Sequence, residues 1–281
     1  MPAINGVGAV IDSVSTGRSW SVDYSSPQVP LVASSTKNGE YILAGNKDWN
    51  ATVNYFLTPA TLLPPFVPGA DVTFKGSIDE SVGVSGPAKV ERITIRWDIE
   101  GARPIECTMS LQGNGELLRG AAVATDTTDP DAYTSIGCKL EMDVPGGTPT
   151  GIDDIRTMEL VMESTLVSYV SSSTGAQTKR LAGVFKATFS YTLYPGALSD
   201  LPEAGDVFEA LLYVNGTDYY TLQWVVVNGV TGIEVNRETA AVVGATVNCN
   251  FTGWTKIATV LTEGKITTPD DEDYIWGTEP E

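Results

Sequence analysis

The sequence contains no histidine, only three cysteines and few cationic side chains. The lack of histidine removes the commonest general base and the commonest metal ligand of proteins, and it excludes a Ser-His-Asp triad. A Ser-Lys pair stays open, but no motif supports one, and the chain has no phosphate-binding G-x-x-x-x-G-K-[ST] stretch. These absences favour a protein that is not an enzyme and that needs no cofactor or metal.

Cationic side chains are outnumbered by acidic ones, since 17 Lys and Arg stand against 35 Asp and Glu, for a formal net charge of −18. A surface this acidic repels DNA phosphates and anionic lipids. Sequence-specific DNA binding and docking on a membrane are therefore both disfavoured. The charge suits a surface that DNA passes without adhering to it.

The three cysteines, Cys107, Cys138 and Cys249, are too far apart for a C-x-x-C metal or redox pair. We expect them to be buried free thiols in a reducing compartment. No apolar run approaches the ~18 residues of a membrane span. The first residues, Met1 to Asn5, lack the basic and apolar regions of a signal peptide, so we expect assembly in the cytoplasm.

What the sequence has is alternation of apolar and polar residues, with 28 Gly and 16 Pro to form turns between strands. Residues 49–57 alternate and predict a strand. Residues 93–100 and 105–112 alternate as well, and the turn between them predicts an antiparallel hairpin. The segment 152–166 fits a helix or a strand, and its β-branched residues together with the Ser/Gly turn that follows favour the strand.

An internal repeat is visible in the two stretches WNATVNYFLTP (49–59) and FKATFSYTLYP (185–195). Later landmarks recur in the same order: Gly-Ala-Asp-Val or Gly-Asp-Val, a Trp-bearing strand, and a Cys-bearing strand before a Gly turn. Because four landmarks keep their order, duplication is a better explanation than chance. The identical pairs in the first stretch are Ala51/Ala187, Thr52/Thr188, Tyr55/Tyr191, Leu57/Leu193 and Pro59/Pro195.

The repeat predicts an all-β chain of two tandem antiparallel β-sandwich or half-barrel domains. The expected divisions are an extended N-terminal arm (1–44), a first domain (45–180), a second domain (181–268) and an acidic C-terminal tail (269–281). A unit that cannot close its own sheet edges must pair with a neighbour.

The segment from Gly45 to Gly120 resembles the tail-tube, or major tail, proteins of siphophages. The resemblance lies in three pieces, which are Asn46-Lys47-Asp48-Trp49, Gly76-Ser77-Ile78-Asp79 with Val84-Ser85-Gly86-Pro87-Ala88, and Trp97-Asp98-Ile99-Glu100-Gly101 leading to Leu111-Gln112-Gly113-Asn114-Gly115-Glu116-Leu117. It covers about 75 residues and is weaker in the second half. None of the pieces is a catalytic signature.

This resemblance implies six tube domains closing into a ring, and rings stacking into the tube through which genome DNA leaves the virion. Family members usually carry one domain per chain. Two per chain would make the ring a trimer with pseudo-six-fold symmetry. The implied partners are other copies of the chain and the tape-measure, tail-tip and terminator proteins of the tail, with DNA only as non-specific passing cargo.

Two groups of residues are the candidate interaction sites. The first is a polar strand face that would line the lumen or the outer wall, where an acidic lining would let DNA slide: Arg96, Asp98, Glu100, Glu106 and Gln112. The second belongs to the Pro-rich loop 58–70 and its counterpart 194–206, which we expect to join stacked rings: Pro59, Leu62, Pro64, Pro65, Phe66, Pro195, Leu198, Leu201 and Pro202.

Other interpretations stay open at this point. Tyr219 and Tyr220, as exposed aromatics, would suit a carbohydrate- or receptor-binding β-sandwich module, and a capsid-decorating protein would share the composition. Asp98 and Glu100 share one strand face as paired carboxylates do in acid–base catalysis, but a solvated face explains them more simply. The acidic groups 126–131 and 270–273 suggest cations, although turn chemistry and a charged tail are the preferred explanations.

Overall fold

The protein folds almost entirely into antiparallel β-strands, as a computed structural model shows. The structure describes residues 4–6, 8–12, 14–15, 18–26, 28–31, 41–61, 67–78, 82–121, 132–143, 147–148, 150–152, 154–171, 173, 177–195, 201–215, 218–236, 242–251, 255–259 and 275–276. Across these ranges, no helix is long and apolar enough to cross a membrane. The prediction of an all-β antiparallel fold is confirmed.

Twenty strands are described, together with a single 3-10 turn at Pro59–Thr61. In chain order the strands are β1 (Ile4–Gly6), β2 (Ala9–Ile11), β3 (Val14–Ser15), β4 (Ser19–Ser25), β5 (Gln28–Leu31), β6 (Tyr41–Ala44), β7 (Asp48–Phe56), β8 (Asp71–Ser77), β9 (Val82–Asp98), β10 (Glu106–Gly113), β11 (Leu118–Ala121), β12 (Leu140–Asp143), β13 (Thr150–Ile152), β14 (Ile155–Tyr169), β15 (Lys179–Leu193), β16 (Val207–Tyr213), β17 (Tyr219–Val235), β18 (Val242–Phe251), β19 (Thr255–Thr259) and β20 (Ile275–Trp276).

The strands form where apolar residues recur at every second position. In β7 the side chains of Trp49, Ala51, Val53 and Tyr55 are buried, while those between them are half-buried or exposed. The predicted hairpin is confirmed, because β9 and β10 pair with Cys107 opposite Ile95. The ambiguous segment 152–166 contains most of β14, so the strand assignment there is correct.

Eight strands lie side by side in what we call the front sheet, in the order β4, β7, β10, β9, β14, β15, β18, β17. Further strands, which we call the back strands, pair with the first parts of the two long strands. β8 pairs with residues 83–89 of β9 and carries β2, whereas β16 pairs with residues 219–226 of β17 and carries β12. Each long strand therefore belongs to the front sheet at its C-terminal end and to the back strands at its N-terminal end.

The order of pairing is the same in the two parts of the front sheet. The first set is β4–β7–β10–β9 with β8 attached to β9, and the second set is β14–β15–β18–β17 with β16 attached to β17. A further detail recurs: the Gly69 amide donates to the Val90 carbonyl, and the Gly205 amide donates to the Val227 carbonyl. Both glycines have a left-handed φ, of 89° and 99°.

The strands depart from the expected divisions of the chain in two ways. Residue 180 lies inside β15, which pairs with β14 from Lys179 to Leu193, so a domain boundary at 180/181 would divide one hairpin. Within the expected N-terminal arm, β4 pairs with β7 and β2 pairs with β8. Two tandem domains therefore stay a prediction, while eighteen of the twenty described strands form one connected network and β5 pairs with β6 in a separate two-stranded sheet. The tail 269–281 lies outside the described residues apart from β20.

One core of buried apolar side chains fills the space behind the front sheet and draws on both strand sets. Trp20 of β4 meets Phe74 of β8 edge to face, with ring centroids 5.6 Å apart. Gly76 lies so close to the Trp20 ring that an added Cβ would stand 2.6 Å from it. The absence of a side chain at Gly76 is therefore what lets the back strand approach the front sheet.

One landmark of the sequence repeat does not survive in the structure. Trp97 is buried in the core, but Trp224 is 46% exposed and has a left-handed φ of 56° at an irregular point of the β16–β17 pairing. When Val90 and Val227 are taken as equivalent positions of the two strand sets, Trp224 is equivalent to Pro87, because each lies three residues earlier. Trp224 is then not equivalent to Trp97. The match between the two Trp residues is thus an accident of composition, since register depends on bulges that the sequence pattern does not display.

Candidate interaction surfaces

The outward side of the front sheet is a polar face formed by alternate residues of its strands. Arg96, Asp98, Glu106 and Gln112 all lie on it, as the sequence predicts, because β9 and β10 pair with Glu106 opposite Arg96. Neighbouring strands add neutral polar residues, among them Thr52 and Asn54 of β7 and Thr188 of β15. Glu100 follows β9 in the adjoining turn.

Several charged residues of this face are held in ion pairs. Arg96 contacts Glu159 of β14 at 2.5 Å, and Arg18 contacts Glu106 at 3.0 Å. Gln112 donates a hydrogen bond to Glu91 at 2.8 Å. The face therefore presents ion pairs, neutral hydroxyls and amides, and a row of both signs of charge formed by Arg92, Glu163 and Lys186. The net charge suggests a uniformly acidic surface, but this face is not uniformly acidic. These residues therefore do not support the expectation of an acidic lumen.

Asp98 and Glu100 do not form a carboxylate pair suited to acid–base chemistry. Asp98 accepts a hydrogen bond from the Gly101 amide at 2.8 Å and lies 3.4 Å from Arg103. Glu100 accepts hydrogen bonds from Arg156 at 2.8 Å and from the Tyr194 hydroxyl at 3.4 Å. Each carboxylate thus has its own cation, and both groups stabilise the turn that follows β9.

A shallow depression opens on the polar face where β9, β14 and β15 meet. Its charged groups are Arg96, Asp98, Arg103, Glu106 and Glu159, and the polar groups beside them include Thr157, Ser190 and Thr192. All five charged groups have an ion-pair partner. The depression therefore offers hydroxyl groups to a ligand and no unpaired charge.

The Pro-rich loops are described only at their ends. Pro59 begins the 3-10 turn, and the flanking Thr58 and the last turn residue Thr61 are buried and hydrogen-bonded to each other. Pro195 is buried after β15, and Leu201 and Pro202 are half-buried before β16. The remaining predicted stacking residues lie outside the described residues: Leu62, Pro64, Pro65, Phe66 and Leu198.

The hairpin of β14 and β15 extends past its neighbours and exposes apolar side chains that the sequence analysis missed. Val167 and Leu181 are paired across the two strands and are 56% and 57% exposed, and Val184 is 68% exposed. The other side of the hairpin touches the first strand set, where an added Cβ on Gly69 would lie 3.1 Å from Ala182. The sequence indicates this exposed apolar surface only by apolar residues that do not alternate with polar ones. The strand prediction relied on alternation and did not use them.

A second feature missed from the sequence is the end of β17. Residues 229–235 run beside β18 on one side, with register shifts between Thr231 and Val235, and no described strand pairs with their other side. Ile233 and Val235 are 44% and 52% exposed there. We call residues 229–235 the free edge. Nothing in the local sequence distinguishes them from the buried strands, because exposure here depends on which strand is missing beside them.

The aromatic residues proposed as a glycan platform are not both exposed. Tyr220 is buried in the core, and Tyr219 is half-buried with its ring 5.0 Å from that of Tyr213. The assumption of two exposed aromatics was therefore wrong, because Tyr220 lies on the inward side of β17.

The three cysteines are buried and free, as predicted. Burial raises the pKa of Cys138 and of Cys249 to about 12, and it raises the pKa of Cys107 further despite a hydrogen bond with Tyr55. Thiols with raised pKa values hold their protons and are poor nucleophiles. Their role is to fill the core.

Within the described ranges, no group of three or more His, Cys, Asp or Glu residues is placed to hold a metal ion. The acidic groups 126–131 and 270–273 lie outside the described residues. When the chain is compared with known protein families and with curated proteins, neither comparison finds a match.

Proposed function

We propose that this chain is the structural subunit of a bacteriophage tail tube. In this proposal, three copies close into a ring with pseudo-six-fold symmetry, and the rings stack into a hollow conduit for genome DNA. The chain assembles in the host cytoplasm and resides in the virion tail. The tape-measure, tail-tip and terminator proteins are the expected neighbours.

The observation that carries the proposal is the repeated pairing order of the front sheet. Two sets of four strands lie side by side, joined where β9 pairs with β14. The outer ends of this eight-stranded sheet are β4 and β17. A sheet with matching ends and a repeated unit closes on itself when further copies are added, and closure removes the exposed edges that otherwise cause aggregation.

The polar face supports the assignment of this sheet to the wall of a channel. Its Ser, Thr and Asn side chains are neutral, and its charges are of both signs, several of them in ion pairs. Such a lining has little electrostatic attraction for phosphate groups, so a DNA chain would move along it without being held. The apolar side of the same strands is already covered by the core.

Electron microscopy of the concentrated, purified protein tests the proposal. Hollow tubes, or rings with a central channel, are the expected result. Protein that stays monomeric at high concentration, and that also fails to assemble together with other tail proteins, contradicts it. An antibody against the chain should label the tails of virions, whereas labelling of the head would favour a capsid-decorating protein instead.

A further inference from the structure

The pairing of β9 with β14, which we call the joint, shows how two strand sets connect. One edge of β9 is shared by two partners: β8 pairs with it as far as Lys89, and β14 pairs with it from Arg92 to Asp98. Both lie on the side of β9 opposite to β10, since β10 pairs with β9 from Ala88 to Arg96 and so overlaps both partners. The joint contains seven residue pairs.

The long strand of the second set, β17, has a counterpart of the first partner, and among the described strands it has no counterpart of the second. β16 pairs with β17 as far as Val226, just as β8 pairs with β9 as far as Lys89. The free edge, residues 229–235, follows at the place that corresponds to the joint. An unpaired strand edge with exposed apolar residues such as Ile233 and Val235 is a template for another strand.

The strand that fits the free edge is identified by the same repeat. In the joint the partner strand is β14, and the counterpart of β14 in the first set is β4. Ser21 of β4 pairs with Thr52, and Val161 of β14 pairs with Thr188. Thr52 and Thr188 are themselves matched in the sequence repeat, so Ser21 corresponds to Val161.

The edge of β4 that would face this partner is occupied by β1 in the single chain. β1 pairs with β4 at only three positions, from Ile4 opposite Val22 to Gly6 opposite Trp20. Three pairs cover less of the edge than the seven pairs of the joint. A longer strand that offers more hydrogen bonds and more side-chain contacts can therefore replace β1.

We propose that the free edge of one copy pairs with β4 of a second copy and displaces its β1, which reproduces the joint between subunits. The contact is heterologous, because one copy supplies β17 and the next supplies β4, and such contacts generate rings. This inference rests on the proposed function for the closed ring. To that function it adds the two strands that make the contact, β17 and β4, and the strand that covers β4 before assembly, β1.

A disulfide cross-link tests the contact directly. In the joint, Thr94 lies opposite Val161. The counterpart of Val161 is Ser21, found through Thr52 and Thr188. Traced in the same way, the counterpart of Thr94 is Gly229, because Asn54 is joined to Thr94 through Thr108, and Ser190 is joined to Gly229 through Asn248. Matching Val90 with Val227 gives Thr231 instead, so the two alignments differ by two residues. The double variants Ser21→Cys with Gly229→Cys and Ser21→Cys with Thr231→Cys cover the two registers, and one of them should form covalent oligomers on non-reducing gels after mild oxidation. Each single variant is the matched control and should not form a ladder beyond dimers.

A charge at the free edge is the second test, and it does not depend on disulfide geometry. Ile233→Lys should raise the protein concentration needed for assembly about tenfold or more, because a strand pairing over the edge would bury the ammonium group. Ile136→Lys is the control: Ile136 is also exposed, at 66%, but lies in a turn away from both edges. This control variant should assemble like the parent protein.

The outcomes separate this inference from the proposed function. Tubes without a cross-link, together with normal assembly of Ile233→Lys, overturn the β17–β4 contact and leave the tube assignment intact. Cross-linked small oligomers without tubes support the contact and count against the tube. A monomeric parent protein and an absent cross-link overturn both.

Discussion

Arg180 and Asp48, 132 positions apart, form an ion pair in which the guanidinium donates hydrogen bonds of 2.6 and 2.8 Å to the two carboxylate oxygens. The same guanidinium donates to the carbonyl of Gly113. The Arg180 side chain is only 6% exposed, and that of Asp48 is 34% exposed. This contact fixes the far part of the β14–β15 hairpin against the first strand set.

Removal of the Arg180 side chain should destabilise the fold. Arg180→Ala leaves the Gly113 carbonyl and a partly covered carboxylate without their donor, and we expect a loss of about 3 kcal/mol in unfolding free energy. Urea denaturation of the unassembled protein measures it. Arg103→Ala is the control, because the pair of Arg103 with Asp98 is solvent-exposed and should contribute less than about 1 kcal/mol. Equal effects of the two substitutions would contradict this account.

Gly76→Ala should reduce stability through steric conflict in the core. The new methyl group would stand 2.6 Å from the Trp20 ring, whose position is fixed by Phe74. Overpacking of this kind costs about 1–3 kcal/mol. Gly120→Ala is the matched control, since nothing lies within 4 Å of its added methyl group. Urea denaturation should show a lower midpoint for the first variant and an unchanged or slightly higher midpoint for the second.

Stability should fall in alkaline solution because of the buried thiols. Burial raises the pKa of Cys138 and Cys249 from 9.0 to about 12, so the folded state favours the protonated thiol. Their contribution is complete below pH 9, where the unfolded thiol is also protonated, and is lost as the pH rises from 9 towards 12. Each thiol contributes a slope of up to about 1.4 kcal/mol per pH unit.

Urea midpoints measured between pH 8 and pH 10.5 check this slope. Cys249→Ala should show a shallower decline than the parent protein, although its stability at pH 8 is lower because of the lost side-chain volume. A parallel decline in the two proteins would show that other groups, and not this thiol, cause the alkaline loss.

The sequence predicts those parts of the fold that depend on local alternation. The strand at residues 49–57 and the hairpin that places Arg96 opposite Glu106 follow from alternation, because successive side chains of a pleated strand point to opposite sides and those two positions apart point to the same side. The polar face is predicted for the same reason, because it consists of the residues that lie between the apolar positions of each strand.

Features that depend on long-range pairing were not predictable in this way. The division at 180/181 failed to anticipate β15, because the partner that makes residues 179–193 one strand is β14. The burial of Tyr220 and the exposure of Trp224 depend on an irregular register between β16 and β17, which no periodicity reveals. The free edge is likewise defined by the absence of a neighbour, which is a property of the pairing network.

Deletion of residues 62–67 should block stacking of rings while single rings still form. The prediction follows from the length and the proline content of the loop 58–70, whose ends are anchored by the Thr58–Thr61 contact and by the Gly69–Val90 hydrogen bond. Electron microscopy should then show isolated rings in place of tubes. Tubes of normal length would refute the stacking role. Deletion of residues 196–200 in the counterpart loop allows the two sites to be compared.

Deletion of residues 1–7 should promote assembly. These residues contain β1, which covers the edge of β4 at three positions and must leave before the free edge of another copy can pair there. Without β1, no hydrogen bonds have to be broken first, so the concentration needed for assembly should fall, and assembly should begin sooner in light-scattering measurements. The double cysteine variant that forms the cross-link should do so faster in the shortened chain than in the full chain. Slower assembly of the shortened chain would show that β1 supports the contact between copies, and that the pairing of β4 with β17 does not replace it.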